Sequence, residues 1–203
     1  MNGRQGLNFN VNRVRCLLQG SLVLTLTSLS SVLPLSAGAI QLADGTVYFA
    51  RPPLLDRATV DHKGAGSIFA TYYFTLTLPP DAGEPLQRVT LAQHQGTENI
   101  RFDLRRTTAY VGNQRKNRLP LAEVIQDPQT RIITVTFDPP VAAGTTVTIA
   151  LEPIQNPLVG GVYLFGVTAY PQGEKSHGQF LGYGRLQFYG DDFFWGRFSP
   201  FFP

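Results

Sequence analysis

Between residues 67 and 78 every second side chain is apolar. Ile68, Ala70, Tyr72, Phe74, Leu76 and Leu78 share one parity, while Ser67, Thr71, Thr75 and Thr77 fall on the other. A period of two is that of a β-strand with one buried and one wetter face. The alternation recurs with Ile100, Phe102 and Leu104 against Arg101, Asp103 and Arg105, with Ile133, Val135 and Phe137, and with Val147, Ile149 and Leu151. Residues 139–144, with Pro139, Pro140 and Gly144, read as a hairpin loop that makes the last two of these strands antiparallel neighbours. Residues 162–169 are apolar on both faces at their start, which predicts a central strand. In residues 179–189 one parity carries Phe180, Leu186 and Phe188, with Gly182 and Gly184 on the same face, leaving space for a facing side chain or permitting a bend. Weaker strands are expected at residues 47–50, 86–91 and 107–111, and residues 121–125 suit a single helical turn. Seven to nine short strands punctuated by Pro, Gly and Asp predict one all-β domain, an antiparallel immunoglobulin-like β-sandwich.

The first 39 residues stand apart from this pattern. Residues 1–15 carry Arg4, Arg13 and Arg15 and no acid, residues 16–35 are mainly apolar, and Ser36, Ala37, Gly38 and Ala39 follow. That is the order of a secretory signal peptide, with cleavage after Ala39; a retained membrane anchor is the alternative reading. All 14 acidic residues lie after Ala39 and three of the 17 basic ones before it, so residues 40–203 are formally neutral although the whole chain is +3. Overall charge therefore gives no reason to expect nucleic-acid or membrane binding. Cys16, the single cysteine, leaves with the leader, which removes disulfides and thiol chemistry and leaves stability in an oxidising compartment to packing. The expected organisation is a leader at 1–39, a sandwich at 40–190 and an aromatic tail at 191–203. No transmembrane span is expected after cleavage, and the location is periplasmic or extracellular, with envelope association open.

Several segments together resemble a known family. They are Tyr72, Tyr73, Phe74, Thr75, Leu76, Thr77, Leu78, Pro79 with Ala82, Gly83, Glu84, Pro85, Leu86; then Val135, Thr136, Phe137, Asp138, Pro139, Pro140, Val141; then Asn156, Pro157 followed by Gly160, Gly161, Val162, Tyr163, Leu164, Phe165, Gly166, Val167; and Gly178, Gln179, Phe180, Leu181, Gly182. In these the chain is similar to exported cyanobacterial proteins known as domain of unknown function 2808. The resemblance covers most of residues 40–190. It implies export and a β fold, and carries no activity, cofactor or catalytic residue.

Chemistry has to be sought residue by residue. There is no G-x-S-x-G motif, and Ser176 and His177 are sequence neighbours whose side chains diverge in an extended segment. His62, His94 and His177, the three histidines, show no metal-ligand spacing, so a metal site would need convergence from separate loops. The stretch 61–66 lacks a P-loop pattern, and Asp191 with Asp192 reads as a solvated turn. No catalytic residue, metal ligand or cofactor is expected.

Two features rise above this background. The first is a basic cluster, Arg101, Arg105, Arg106, Arg115, Lys116 and Arg118, with Asp103 the one acid among them. A hairpin returning through Gly112 and Asn113 would bring its ends together. Arginine forks suit carboxylates, sulfates and phosphates, making Arg105, Arg106, Arg115, Lys116 and Arg118 a candidate site for a polyanion such as an acidic polysaccharide or lipid phosphate; a solvated strand face is the plainer reading. Nucleic acid is not expected, since no recognition motif is present. The second is the tail, where Phe193, Phe194, Trp195, Phe198, Phe201 and Phe202 put six aromatics in 11 residues. Such a segment either folds back over the sandwich or docks to a partner or a membrane interface. The sequence thus points to an exported, non-enzymatic binding or envelope-structural module. A hydrolase acting on envelope glycans or peptides and a periplasmic metal carrier are the alternatives. Ligand and oligomeric state are not legible.

Overall fold

The period-two stretch becomes a strand only from Tyr72 onward. In the computed structural model, which describes residues 40–113 and 115–190, the elements in chain order are β1 (Ile40–Gln41), β2 (Val47–Tyr48), β3 (Leu54–Val60), β4 (Tyr72–Thr77), β5 (Leu86–Gln95), β6 (Thr108–Val111), β7 (Arg118–Leu119), β8 (Leu121–Gln126), β9 (Ile133–Val141), β10 (Thr146–Leu151), β11 (Gly161–Pro171) and β12 (Gln179–Phe188), with one 3-10 turn at Leu104–Arg106. The leader read at 1–39 and the tail at 191–203 lie outside the described residues.

Two five-stranded sheets carry the fold, ordered β3-β4-β10-β6-β7 and β12-β11-β5-β9-β8, and every pairing within them is antiparallel. In the immunoglobulin scheme β3, β4, β10 and β6 take the places of strands A, B, E and D, and β5, β11 and β12 those of C, F and G. β9 and β8 widen the second sheet. The predicted all-β immunoglobulin-like sandwich is therefore the observed one.

The inner faces supply the core. Tyr72, Phe74 and Leu76 of β4 and Val147, Ile149 and Leu151 of β10 face Tyr163, Phe165 and Val167 of β11, Val89 and Leu91 of β5, and Ile133, Val135 and Phe137 of β9, all at 0–1% exposure. Phe165 meets Phe74 edge-on at 5.6 Å and Tyr72 at 6.4 Å, the T-shaped arrangement that ring quadrupoles favour. β11 lies between β5 and β12, the central position expected of it.

Gly184 has no room for a side chain: a Cβ there would sit 2.7 Å from the Ala58 Cβ and 2.9 Å from Phe74 Cε1. Two residues earlier, Gly182 at φ +125° permits a bulge, and the pairing jumps from Val167↔Gly182 to Thr168↔Phe180. That jump reverses the parity of everything before it. Leu186 and Phe188 point inward as expected, but Phe180, expected on the same face, is 56% exposed. It stands instead on the outer surface against Tyr183, which also packs on His94, both ring pairs at 5.1 Å.

Other expectations fail for equally local reasons. Ile68 and Phe69 are exposed because residues 67–70 form bends rather than ladder. Ile100 and Phe102 are buried, yet a single bridge, Phe102↔Pro153, replaces the expected strand, and Asp103 then caps the 3-10 turn by accepting from Arg105 N. Residues 121–126 are the edge strand β8, not a helical turn, because pairing with β9 overrides local preference. β9 and β10 are not neighbours but lie in different sheets. The loop between them docks on the end of β4, with Leu78 N donating to Thr145 O at 2.9 Å and Gly144 N to Leu78 O at 3.1 Å, and so carries the chain across the sandwich.

At one end of the sandwich a buried polar side chain ties two loops together. Asn156, 2% exposed, accepts from the Tyr72 hydroxyl at 2.9 Å and donates through Nδ2 to His62 O and Gly64 O, both at 2.8 Å. Its backbone N–H donates to Ser67 O at 2.8 Å. Burial pushes the Tyr72 phenol well above its ordinary value, so the hydroxyl is a permanent donor.

Candidate functional site

The hairpin expected through Gly112 and Asn113 forms: β6 and β7 pair with Tyr110 opposite Arg118 and Ala109 opposite Leu119. Ala109 enters the core, so Tyr110 and Arg118 take the outer face of the first sheet. Register across β4-β10-β6 then sets Tyr73 beside Ala150 and Ala150 beside Thr108, and Thr75 beside Thr148 and Thr148 beside Tyr110. This face is outward, yet Thr148 is 2% and Tyr110 5% exposed. Thr148 donates to Gly112 O at 2.7 Å and shares a 3.0 Å hydroxyl contact with Thr75, anchoring the hairpin turn to the sheet.

The result is a concavity of about 130 Å³ lined by Thr71, Tyr73, Thr108, Tyr110, Arg115, Arg118, Ala150 and Glu152. Arg115 lies over the Tyr73 ring, 5.4 Å from its centroid, and donates through Nη2 to the Tyr73 oxygen. Tyr73 in turn donates to Asp61 Oδ2 at 3.1 Å. Asp61 also accepts from Thr71 N at 2.7 Å, from His62 N at 2.8 Å and lies 3.1 Å from His62 Nδ1. Partial burial raises the Asp61 carboxyl, but the donors from Thr71, His62 and Tyr73 outweigh it and hold the group below its ordinary value. Burial, with the Asp61 carboxylate accepting its proton, holds the Tyr73 phenol above its own.

Of the basic cluster, Arg115 and Arg118 line the concavity and Lys116 is exposed on the turn between them. Arg106 is beside it, with Nη2 on Glu152 Oε2 at 2.6 Å. Arg105 is not part of it: its guanidinium faces Asp103 at 3.7 Å within the 3-10 turn. Arg101 belongs to a different hollow with Gln126, Asp127 and Arg131. With Glu152 taken by Arg106 and Asp61 saturated by its four donors, the local excess is positive. Tyr73, Tyr110 and Asp61 were not singled out from sequence. Outward parity was their only signal, and parity does not say which distant strands become neighbours.

The histidines occupy three separate places. His62 sits on Asp61, His94 on Tyr183, and His177 stacks on Tyr48 with centroids 4.6 Å apart. Among the described residues no three His, Cys, Asp or Glu side chains gather as a metal cluster, and no helix is long and apolar enough to cross a membrane. The tail residues Phe193, Phe194, Trp195, Phe198, Phe201 and Phe202 lie outside the described residues.

Among solved structures the chain is similar to collagen adhesin (CNA) from S. aureus, at 12% identity and a TM-score of 0.40, covering 65% of this chain and 48% of that one. It is also similar to ACE19, the collagen binding subdomain of the Enterococcus faecalis surface protein ACE, at 11% identity and a TM-score of 0.40, covering 64% of this chain and 93% of that one. The C-terminal domain of the Streptococcus agalactiae AgI/II polypeptide BspA matches at 9% identity and a TM-score of 0.36, over 74% of this chain and 48% of that one. Likeness at this level transfers neither ligand nor partner. No curated protein matches the chain. A family model, described as Protein of unknown function (DUF2808), matches residues 46–188. These residues take in all the segments that carried the resemblance in sequence, and the chain belongs to that family.

Proposed function

We propose that the protein is an exported, non-enzymatic binding module that holds the anionic groups of an envelope polymer, such as an acidic polysaccharide, between Arg115 and Arg118. The observation that carries this reading is the pair of guanidiniums on the rim of a concavity whose acids are already engaged. Its size decides the class of ligand. About 130 Å³ is below the roughly 300 Å³ at which drug-sized pockets begin, but it accommodates one carboxylate or sulfate. Exposed ion pairs contribute about 0.2–1 kcal/mol each, so one such group binds weakly and a polymer repeating it binds through multiplicity. The protonation states also favour binding over acid–base catalysis. Asp61 is held ionised and Tyr73 protonated at neutral pH, whereas proton transfer is best served by a group titrating near the working pH. Export rests on the leader pattern of residues 1–39 and on the lone Cys16 falling within it.

The test is retention on a dextran sulfate column under a salt gradient. Replacing Arg115 and Arg118 together by Gln should bring elution to clearly lower salt with little change in melting temperature. Arg105→Gln, outside the concavity, should elute with the unaltered protein. Equal elution of the double variant and the parent would remove the concavity as the binding surface.

A further inference from the structure

The outer face of the second sheet carries rings where a sandwich ordinarily presents polar side chains. β11 runs through this half of the sheet, and the pairing on both of its sides breaks register. Toward β12 it passes from Val167↔Gly182 to Thr168↔Phe180, leaving Leu181 over; toward β5 it passes from Leu164↔Gln95 to Phe165↔Gln93, leaving His94 over. Bulges re-aim side chains, and these two bring Phe180 and His94 onto the same ring, Tyr183. Phe180 meets it at 5.1 Å with the planes 69° apart, and His94 at 5.1 Å with the planes 35° apart. Gly166 lies beneath. A Cβ there would stand 3.3 Å from Phe180 Cε2 and 3.6 Å from Tyr183 Cε1, so its hydrogen lets the rings lie low on the sheet. They form a strip held by strand backbone, with Phe180 still 56% and Tyr183 49% exposed.

The surroundings of the strip limit what it can hold. β5, β11 and β12 contain no Asp or Glu, whereas two arginines share their outer face. Arg185 is opposite Leu164, two residues along β12 from Tyr183, and Arg88 is opposite Tyr170, its guanidinium 4.3 Å from that ring's centroid. Neither arginine forms an ion pair among the described residues. Their rows lie six residues apart on β11, about 20 Å, and Tyr183 and Phe180 occupy the two rows between them. Thr90, Thr168 and Gln95 add hydroxyl and amide groups to the same face. The area is small for a protein partner. At about 100 Å² for each half-exposed ring the strip offers about 300 Å², against about 800 Å² per side in a stable protein interface.

From these observations we infer that the His94–Tyr183–Phe180 strip is a second binding surface, which seats the sugar rings of a hexuronate-bearing polysaccharide. The ring face of Tyr183 or Phe180 is electron-rich and takes the C–H face of a pyranose, while the other ring, standing across it, closes one edge. Arg185 at one end and Arg88 at the other take the carboxylates of the chain, and the hydroxyl and amide side chains take its hydroxyl groups. The inference rests on the reading of the protein as a binder of acidic envelope polysaccharide and adds what that reading lacks, a means of recognising the sugar itself. The basic concavity on the outer face of the first sheet recognises charge alone.

Affinity electrophoresis of the full chain in gels containing alginate, a polymer of hexuronates, tests this. The starting protein is the Arg115→Gln, Arg118→Gln variant, so that the concavity makes no contribution. Alginate should still retard it, and adding Tyr183→Ala with Phe180→Ala should weaken that binding about tenfold with the far-ultraviolet circular dichroism unaltered. Arg185→Gln, which leaves both rings in place, should weaken it several-fold. The two surfaces fail separately. If the Arg115→Gln, Arg118→Gln variant elutes from dextran sulfate with the parent, the concavity falls and the strip stands on its alginate result. The strip is overturned if alginate does not retard that variant, or if neither the ring substitutions nor Arg185→Gln changes the retardation. It is equally overturned if the parent's mass in solution rises with concentration and the ring substitutions abolish the rise, which assigns the rings to a second copy.

Discussion

Replacing Asn156 by Ala removes three hydrogen bonds at once, and the consequences differ by partner. The Tyr72 hydroxyl is fully buried and loses its acceptor at 2.9 Å, which costs about 1–3 kcal/mol as an orphaned donor. The carbonyls of His62 and Gly64 belong to exposed residues that water can reach, so each loses about 0.5–1 kcal/mol. The sum is about 3 kcal/mol, and for a domain of this size 1 kcal/mol corresponds to about 2–4 °C in melting temperature, giving a drop of about 6–12 °C. Tyr72→Phe alone should cost about 1 kcal/mol, since it leaves only the Asn156 oxygen without its donor. The decisive measurement is the double variant. Once Asn156 is gone the Tyr72 hydroxyl is a liability, so adding Tyr72→Phe should restore stability rather than reduce it further. Urea and thermal unfolding of the four proteins give the coupling directly. A loss under about 1 °C for Asn156→Ala, or strict additivity in the double variant, would refute the view that this side chain holds the two loops.

Three other sites give further outcomes. Gly184→Ala places a Cβ 2.7 Å from Ala58 and 2.9 Å from Phe74; as overpacking between two sheets it should destabilise by about 1–3 kcal/mol, read by thermal melting. Thr148→Val removes the tether to Gly112 and the hydroxyl contact to Thr75; a loss of about 1–2 kcal/mol with weaker retention on dextran sulfate is expected, because the turn that carries Arg115 is freed. The Asp61 carboxyl titrates below its ordinary 3.8 in the folded protein, so it stabilises the fold above that pH and ceases to do so as the pH falls through the lower folded value. Asp61→Asn should therefore flatten the acid limb of the stability curve below about pH 4; an unaltered acid limb would show that the donors of Thr71, His62 and Tyr73 do not favour the charged form.

What could be read from sequence was set by how far each signal reaches. Strand β4 and the central place of β11 are legible because burial on one or both faces is written into consecutive residues. The outward turn of Phe180 is not, since one extra residue, Leu181 beside Gly182, reverses the parity of the strand before it. Residues 139–144 look like any tight hairpin, and what sends β10 to the opposite sheet is the docking of Thr145 and Gly144 on Leu78, a contact more than sixty residues distant. The same limit governs the site. A basic hairpin at 105–118 is visible in the chain, and so is its turn. That Arg115 meets Tyr73 depends on β10 lying between β4 and β6, whereas Arg105 is diverted to Asp103 by the 3-10 turn they share.

That interposed strand has a consequence for how the molecule comes into being. β4 and β6 are made early and cannot pair with each other, because β10 separates them and supplies hydrogen bonds to both. The first sheet therefore waits on residues 146–151, and the second waits on β11, which joins β5 to β12. Pairings between strands so distant in sequence must close long loops before any stabilisation is returned, and sandwiches of this kind fold in milliseconds to seconds. No N-terminal or C-terminal half holds a complete sheet: before β10 the chain can form only the β3–β4, β6–β7 and β5–β9–β8 ladders of the two sheets, so both can be completed only after nearly all of the domain has been synthesised.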